Sequence, residues 1–192
     1  MLKFIATTVS NLLKWELEGD IPPGIEKCVM IVAPHTSNID YFFGLAASYR
    51  LRLPIHYLIK EEWLKRFFIG RLMKSTGAVG VNRSERKSRV ESMAALFKEN
   101  ERFVLTFPPE GTRKLVQKWK TGFYYVALKA EVPIVFASLD YKKKKVIVGP
   151  SFMPTGNFEE DMDIVREHYR DATAKYPEKF SLPFYESSPG NA

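Results

Sequence analysis

The sequence predicts an α/β domain, with a mostly parallel mixed sheet of about seven strands covered by helices on both faces. Three observations carry that expectation. Strand-like and helix-like segments alternate along the whole chain. CVMIVA (28–33) is a continuous apolar run, as a strand buried on both faces requires, and IHYLIK (55–60) is a second buried-strand candidate. The 192 residues, 45 % of them apolar, suit one domain with a sizeable core.

At the N-terminus, Leu2, Ile5, Val9 and Leu12 share one helical face. An amphipathic helix is expected there, packed on the domain or lying on a membrane with Lys3, Lys14 and Trp15 at the interface. It is too interrupted by Lys3, Asn11 and Lys14 to span a bilayer, which takes ~20 mostly apolar residues. It also lacks a signal-peptide core and cleavage site. KWELEG alternates, so it reads as a short strand, and DIPPG turns the chain into CVMIVA. A helix over DYFFGLAASYR and the strand IHYLIK follow. KEEWLKRFFIGRLMKSTG is expected to be one helix. Trp63, Leu64, Phe67, Phe68, Leu72 and Met73 form a broad apolar side, and Lys65, Arg66, Arg71 and Lys74 fill the rest. Gly77 ends it. Then come the strand AVGV, the helix SRVESMAALFKEN and the strand RFVLTF, stopped by Pro108-Pro109. The helix GFYYVALKAE, the strand PIVFASLDY, the basic turn KKKK, the strand VIVG and a polar helix over FEEDMDIVREHYRDATAKY complete the domain. It is expected to occupy 1–180, with 181–192 as a flexible tail.

The net charge of +7 and pI near 9.4 favour anionic partners: nucleic acid, acidic lipid surfaces or phosphorylated ligands. Cys28 is the only cysteine, which excludes an internal disulfide and a thiolate metal site and makes Cys28 a small core residue. His56 reads as structural and His168 as exposed. Three scattered histidines lack metal-ligand spacing, so no metal is expected. Phosphate-loop and dinucleotide fingerprints are absent, as are nucleic-acid-reading elements.

In such sheets, loops leaving the strand ends build the site. HTSNID (35–40) leaves the CVMIVA strand. Ser37 and Asp40 fit a capping box, which explains both without chemistry but leaves His35 unexplained. Residues five apart point ~140° from each other on a helix, so His35 and Asp40 meet only across a turning loop. If they do, Asp40 accepts from one imidazole nitrogen and the other faces the cleft as a base. No G-x-S-x-G nucleophile exists, which suggests that the substrate supplies the attacking group. FPPEGTR (107–113) is the second loop. Gly111 permits close backbone approach and Arg113 can fork onto a phosphate. A solvated turn with a Glu-Arg surface pair is the plainer alternative.

Together the motifs resemble those of the glycerolipid acyltransferase family, relatives of bacterial lysophosphatidic acid acyltransferase. HTSNID matches its H-x4-D motif and PEGTR its third motif. GAVGVNR (77–83) resembles the second and VPIV (132–135) the fourth, in the same order along the chain. Pro34, Pro108, Lys114 and Phe136 depart from the residues common at those places. The resemblance implies transfer of a fatty acyl group from a thioester, on coenzyme A or acyl carrier protein, to the hydroxyl of a lysophospholipid, with no cofactor. It implies His35 as general base, Asp40 as its orienter and Glu110 as a further catalytic residue in the acceptor site. Arg83, Gly111, Thr112 and Arg113 are then acceptor-binding residues. Trp63, Phe67 and Phe68 are candidates for acyl or membrane contact. An anionic membrane surface is an expected partner, with a cytoplasmic, peripherally membrane-associated location, and nucleic acid is not expected. A thioesterase, with water as acceptor, and a non-catalytic basic membrane-binding protein are the alternatives.

Overall fold

The computed structural model describes residues 2–81 and 86–183. Seven strands form one sheet: β1 (Glu16–Gly19), β2 (Lys27–Ala33), β3 (Ile55–Lys60), β4 (Ala78–Val81), β5 (Phe103–Phe107), β6 (Ile134–Asp140) and β7 (Lys145–Phe152). Their spatial order is β1-β7-β6-β2-β5-β3-β4. β6, β2, β5, β3 and β4 run parallel; β7 is antiparallel to β6, and β1 pairs parallel with β7. The carboxyl ends of five strands therefore share one rim, where the His35 and PEGTR loops emerge. The β6–β7 hairpin turn and the start of β1 lie at that same rim.

The helices are α1 (Leu2–Leu12), α2 (Asp40–Arg50), α3 (Glu61–Leu64), α4 (Phe67–Ser75), α5 (Arg86–Glu99), α6 (Gly122–Ala130) and α7 (Phe158–Tyr169). The alternating faces of β2 explain the two-sided packing. Val29, Ile31 and Ala33 join a core with Phe97, Phe123 and Val165, residues of α5, α6 and α7. Cys28 and Met30 point to the other face with Val104, Val135 and Val148. Burial pushes the Cys28 thiol up to about 12, which keeps it protonated and unreactive. The second face is capped only in part by α2, through Phe43 and Ala47 packed with Trp15 and Leu139.

The seven-strand, mostly parallel layering matches the expectation, and three local expectations need correction. The 61–75 segment is two helices, because Arg66 is extended (φ −76°, ψ 121°) and turns the chain. Gly70 allows α4 to fold back: a Cβ there would stand 2.2 Å from the Leu64 carbonyl oxygen. The last helix stops at Tyr169, whose hydroxyl donates toward the carbonyls of Ile31 (2.8 Å) and Ala137 (3.1 Å) on adjacent strands. His168 is half-buried, stacked on Phe136 at 4.1 Å, and burial lowers its pKa to about 4. On α1, which packs against α2, Ser10 is buried while Ile5, Val9 and Leu12 face outward. His56 stacks on Phe103 at 4.3 Å.

Gly70→Ala should destabilise the protein by about 1–3 kcal/mol in urea unfolding, since the obstructing atoms are backbone and cannot swing away.

Candidate active site

β2 ends at Ala33, and a cis Ala33–Pro34 bond leads into His35. The chain then turns through Ile39, and Asp40 opens α2. That turn brings the two residues together: His35 Nδ1 lies 3.3 Å from Asp40 Oδ2. The same oxygen accepts the backbone N–H groups of Thr36 (2.9 Å) and Ser37 (2.8 Å). Ser37 Oγ accepts from Ile39 N–H at 3.3 Å, so only the acidic half of the expected capping box forms. The capping role and the imidazole-orienting role fall to one carboxylate.

Asp40 Oδ1 accepts from the Tyr141 hydroxyl at 2.5 Å. Tyr141 begins the β6–β7 turn, its ring set edge-on to Trp15 (4.8 Å) and Phe43 (6.2 Å). Burial alone would raise the Asp40 pKa. Hydrogen bonds from His35, Tyr141 and Ser37 outweigh it and hold the carboxyl below its ordinary value. In the other direction, burial and the bond to Asp40 push the Tyr141 phenol well above its ordinary range, so it stays a donor.

Glu110 corrects the picture of a solvated Glu-Arg pair. It is 4 % exposed and turns inward, Oε1 accepting the His35 backbone N–H at 2.8 Å. Its Oε2 is buried without a hydrogen-bond partner among the described residues. Burial raises its pKa to about 7, against the opposing pull of the backbone N–H bonds from Glu110 itself and His35. Glu110 thus braces the loop that carries the imidazole. Gly111, at φ +65°, closes a tight turn by donating to the Pro108 carbonyl at 3.0 Å. The Thr112 hydroxyl accepts from Lys114 N–H at 3.4 Å. Arg113 is exposed and lines the same cleft as His35. Arg83 lies outside the described residues, as does most of the expected tail.

The cleft has a volume of about 660 Å³, and the His35 side chain, 18 % exposed, stands in its wall. It occupies the part of the second sheet face that α2 leaves uncovered. Met30, Val32, Ala137 and Val148 form its floor, and it extends to Leu51 and Leu53. Its walls are mostly apolar; besides the rim groups, Ser48, Thr106 and Ser138, they carry a hydroxyl cluster in which Thr76 Oγ1 meets the hydroxyls of Tyr57 (2.7 Å) and Tyr41 (3.0 Å). Trp63, Phe67 and Phe68 are not part of this lining, although Leu72 and Met73 of α4 are. Among the described residues no cluster of three or more His, Cys, Asp or Glu could hold a metal, and no helix is long and apolar enough to cross a membrane.

A model of the acyltransferase family matches residues 14–139, well over half of the chain. The chain belongs to the acyltransferase family. A curated relative, a 1-acyl-sn-glycerol-3-phosphate acyltransferase of Chlamydomonas reinhardtii, is 33 % identical over 122 residues, covering 60 % of this chain and 35 % of that protein. The chain thus spans about a third of that relative's length. The crystal structure of the 1-acyl-sn-glycerophosphate (LPA) acyltransferase PlsC from Thermotoga maritima aligns over 91 % of this chain and 80 % of that one, with a TM-score of 0.56 and 16 % identity. That is a likeness of fold.

In this acyltransferase domain, sequence reading missed Tyr141. It follows β6 by one residue, as the site loop follows β2, and the two strands are parallel neighbours. Strand order is what makes that adjacency visible, and no motif carries it.

A buried acid with a raised pKa leaves a signature in stability. Glu110 holds its proton in the fold up to about pH 7 but loses it near 4.5 in the unfolded chain. Its contribution is therefore full below pH 4.5 and is lost as pH rises toward 7, by about 3 kcal/mol. Glu110→Gln, which keeps the acceptor for the His35 N–H, should be more stable than the native protein at pH 8 by about that amount. The two should converge below pH 4.5, as read by denaturant midpoints across pH.

Proposed function

We propose that this protein is an O-acyltransferase that moves a fatty acyl group from an acyl thioester to the hydroxyl of a lysophospholipid such as lysophosphatidic acid. The observation that carries the reading is the His35–Asp40 pair in the wall of an apolar cleft that also receives Arg113. The names of both relatives, one curated and one solved, point to the same acceptor class.

The Nδ1–H of His35 donates to Asp40, which leaves Nε2 free to take the acceptor's hydroxyl proton. The freed oxygen attacks the thioester carbonyl, and the tetrahedral intermediate collapses with departure of the thiolate. The imidazolium, stabilised by Asp40, returns its proton to that leaving group. No enzyme nucleophile is required, in keeping with the absence of a serine elbow and the buried, protonated Cys28. Arg113 supplies a cation for the acceptor phosphate, and Arg83 is the second by family resemblance. The apolar cleft, within the ~300–1,000 Å³ range of ligand pockets, takes a fatty chain. Coenzyme A and acyl carrier protein are both candidate carriers of the donor.

Purified protein given lysophosphatidic acid and a long-chain acyl-CoA should form phosphatidic acid, read by mass spectrometry. His35→Ala should lower kcat by about 10²–10⁴-fold while the circular dichroism spectrum is unchanged. Activity that survives this change refutes the role of His35. Release of free fatty acid without an acceptor would make water the true substrate and the protein a thioesterase.

Tyr141→Phe should lower kcat by about tenfold, the equivalent of one lost hydrogen bond to a charge, with KM for both substrates unchanged.

A further inference from the structure

We propose that the rim at the carboxyl ends of the parallel strands is a docking face for an anionic phospholipid bilayer, with Phe67 and Phe68 of α4 as its inserted anchors. The proposal builds on the acyltransferase reading only in taking the acceptor to be a lipid; the face itself is argued from exposure, charge and topology.

Phe67 is 75 % exposed and Phe68 83 %, their rings edge-to-face at 5.0 Å. Trp63, 41 % exposed, and Leu72 extend the same apolar surface. Single exposed apolar residues are ordinary, but contiguous aromatic surface ringed by polar groups marks an interaction site. The segment is net cationic: Arg66 sits over the Trp63 ring at 4.5 Å, Arg71 and Lys74 are exposed, and exposed Glu61 and Glu62 oppose them only in part, Glu61 being paired with Lys65 at 3.1 Å. Aromatics among cations suit the headgroup region of an anionic bilayer, where each cation adds about 1 kcal/mol of attraction. A second copy of this chain is a poorer occupant, since a two-fold contact would set these cations against each other.

Topology places the patch beside the chemistry. β3 runs straight into α3 at the rim where β2 delivers His35 and β5 delivers the PEGTR loop. The β6–β7 turn adds Lys142, Lys143 and Lys144 at that rim. The chain enters β1 there too, just after exposed Leu12 and Leu13. α4 has two jobs in this arrangement. Phe67 and Phe68 face outward, while Leu72 and Met73 line the cleft. Seating α4 in the headgroup layer opens the cleft onto the lipid surface, so an acceptor reaches His35 without crossing water.

Trp63 gives a direct readout. The protein's other two tryptophans, Trp15 (6 % exposed) and Trp119 (4 %), are buried. Vesicles of phosphatidylcholine with phosphatidylglycerol should blue-shift the emission of the full chain, and brominated lipids should quench it. Pure phosphatidylcholine vesicles should bind more weakly, and added salt should release the protein. Phe67→Ser with Phe68→Ser should weaken vesicle partition by about a hundredfold, near tenfold per ring. Its melting temperature and its turnover of a monomeric short-chain lysophosphatidate with a soluble acyl-CoA should stay native. Arg71→Glu with Lys74→Glu should remove most of the preference for anionic vesicles. Native partition by the double serine variant, or a Trp63 that brominated lipids do not quench, overturns the docking face while leaving the acyltransferase reading intact. Loss of a dimer in that variant with partition unchanged overturns it also, by making the patch a subunit interface. A native protein that partitions as described but turns over no acceptor refutes the acyltransferase reading and leaves the face standing.

Discussion

A carboxylate withdrawn from water must find its donors within the protein, and Asp40 finds four. They come from the backbone of Thr36 and Ser37, from the His35 ring and from the Tyr141 hydroxyl. Leaving such a charge unpaired costs several kcal/mol, whereas each charge-assisted hydrogen bond contributes about 1.5–3. The carboxylate therefore dictates the path of the loop that carries the imidazole. It also ties that loop to a turn 101 residues away in the chain. Glu110 braces the same loop from the end of the neighbouring strand β5, through the His35 backbone. The imidazole is fixed by groups from three strand ends, and it owes its orientation to them.

The sheet is packed unequally. One face is filled by aromatic and aliphatic side chains with α5, α6 and α7 over it. The other is roofed by α2 for only part of its width, and the remainder is the cleft. The folded chain bears the cost of this unburied apolar floor. Thr76, Tyr57 and Tyr41 put hydroxyls in a mostly apolar wall, but they satisfy one another and so add little desolvation cost.

Much of the fold was legible because its signals are local. The apolar run of β2, the stop at Pro108-Pro109 and the helix from Asp40 depend on nearby residues alone. The pairing of His35 with Asp40 was legible for the same reason: five residues and one turn suffice. What escaped needed the third dimension. Glu110 looked like a surface acid because its sequence neighbours are prolines and polar groups. Its burial comes from packing against the His35 loop. The break at Arg66 follows from the close approach of Gly70 to Leu64, which helical periodicity does not register. His168 lies on a polar helix, yet its ring finds Phe136 on β6.

Beyond α7 the backbone returns to the rim that carries His35. The Thr173 carbonyl accepts the Tyr141 N–H at 2.9 Å, and the Tyr176 N–H donates to Thr36 Oγ1 at 3.3 Å. These two latches join the C-terminal stretch to both sides of the Asp40 cluster. Both latches are made by residues that follow every motif of the site in sequence. The sheet can form from its strands alone, but the Asp40 cluster is held from both sides only once that returning stretch has docked.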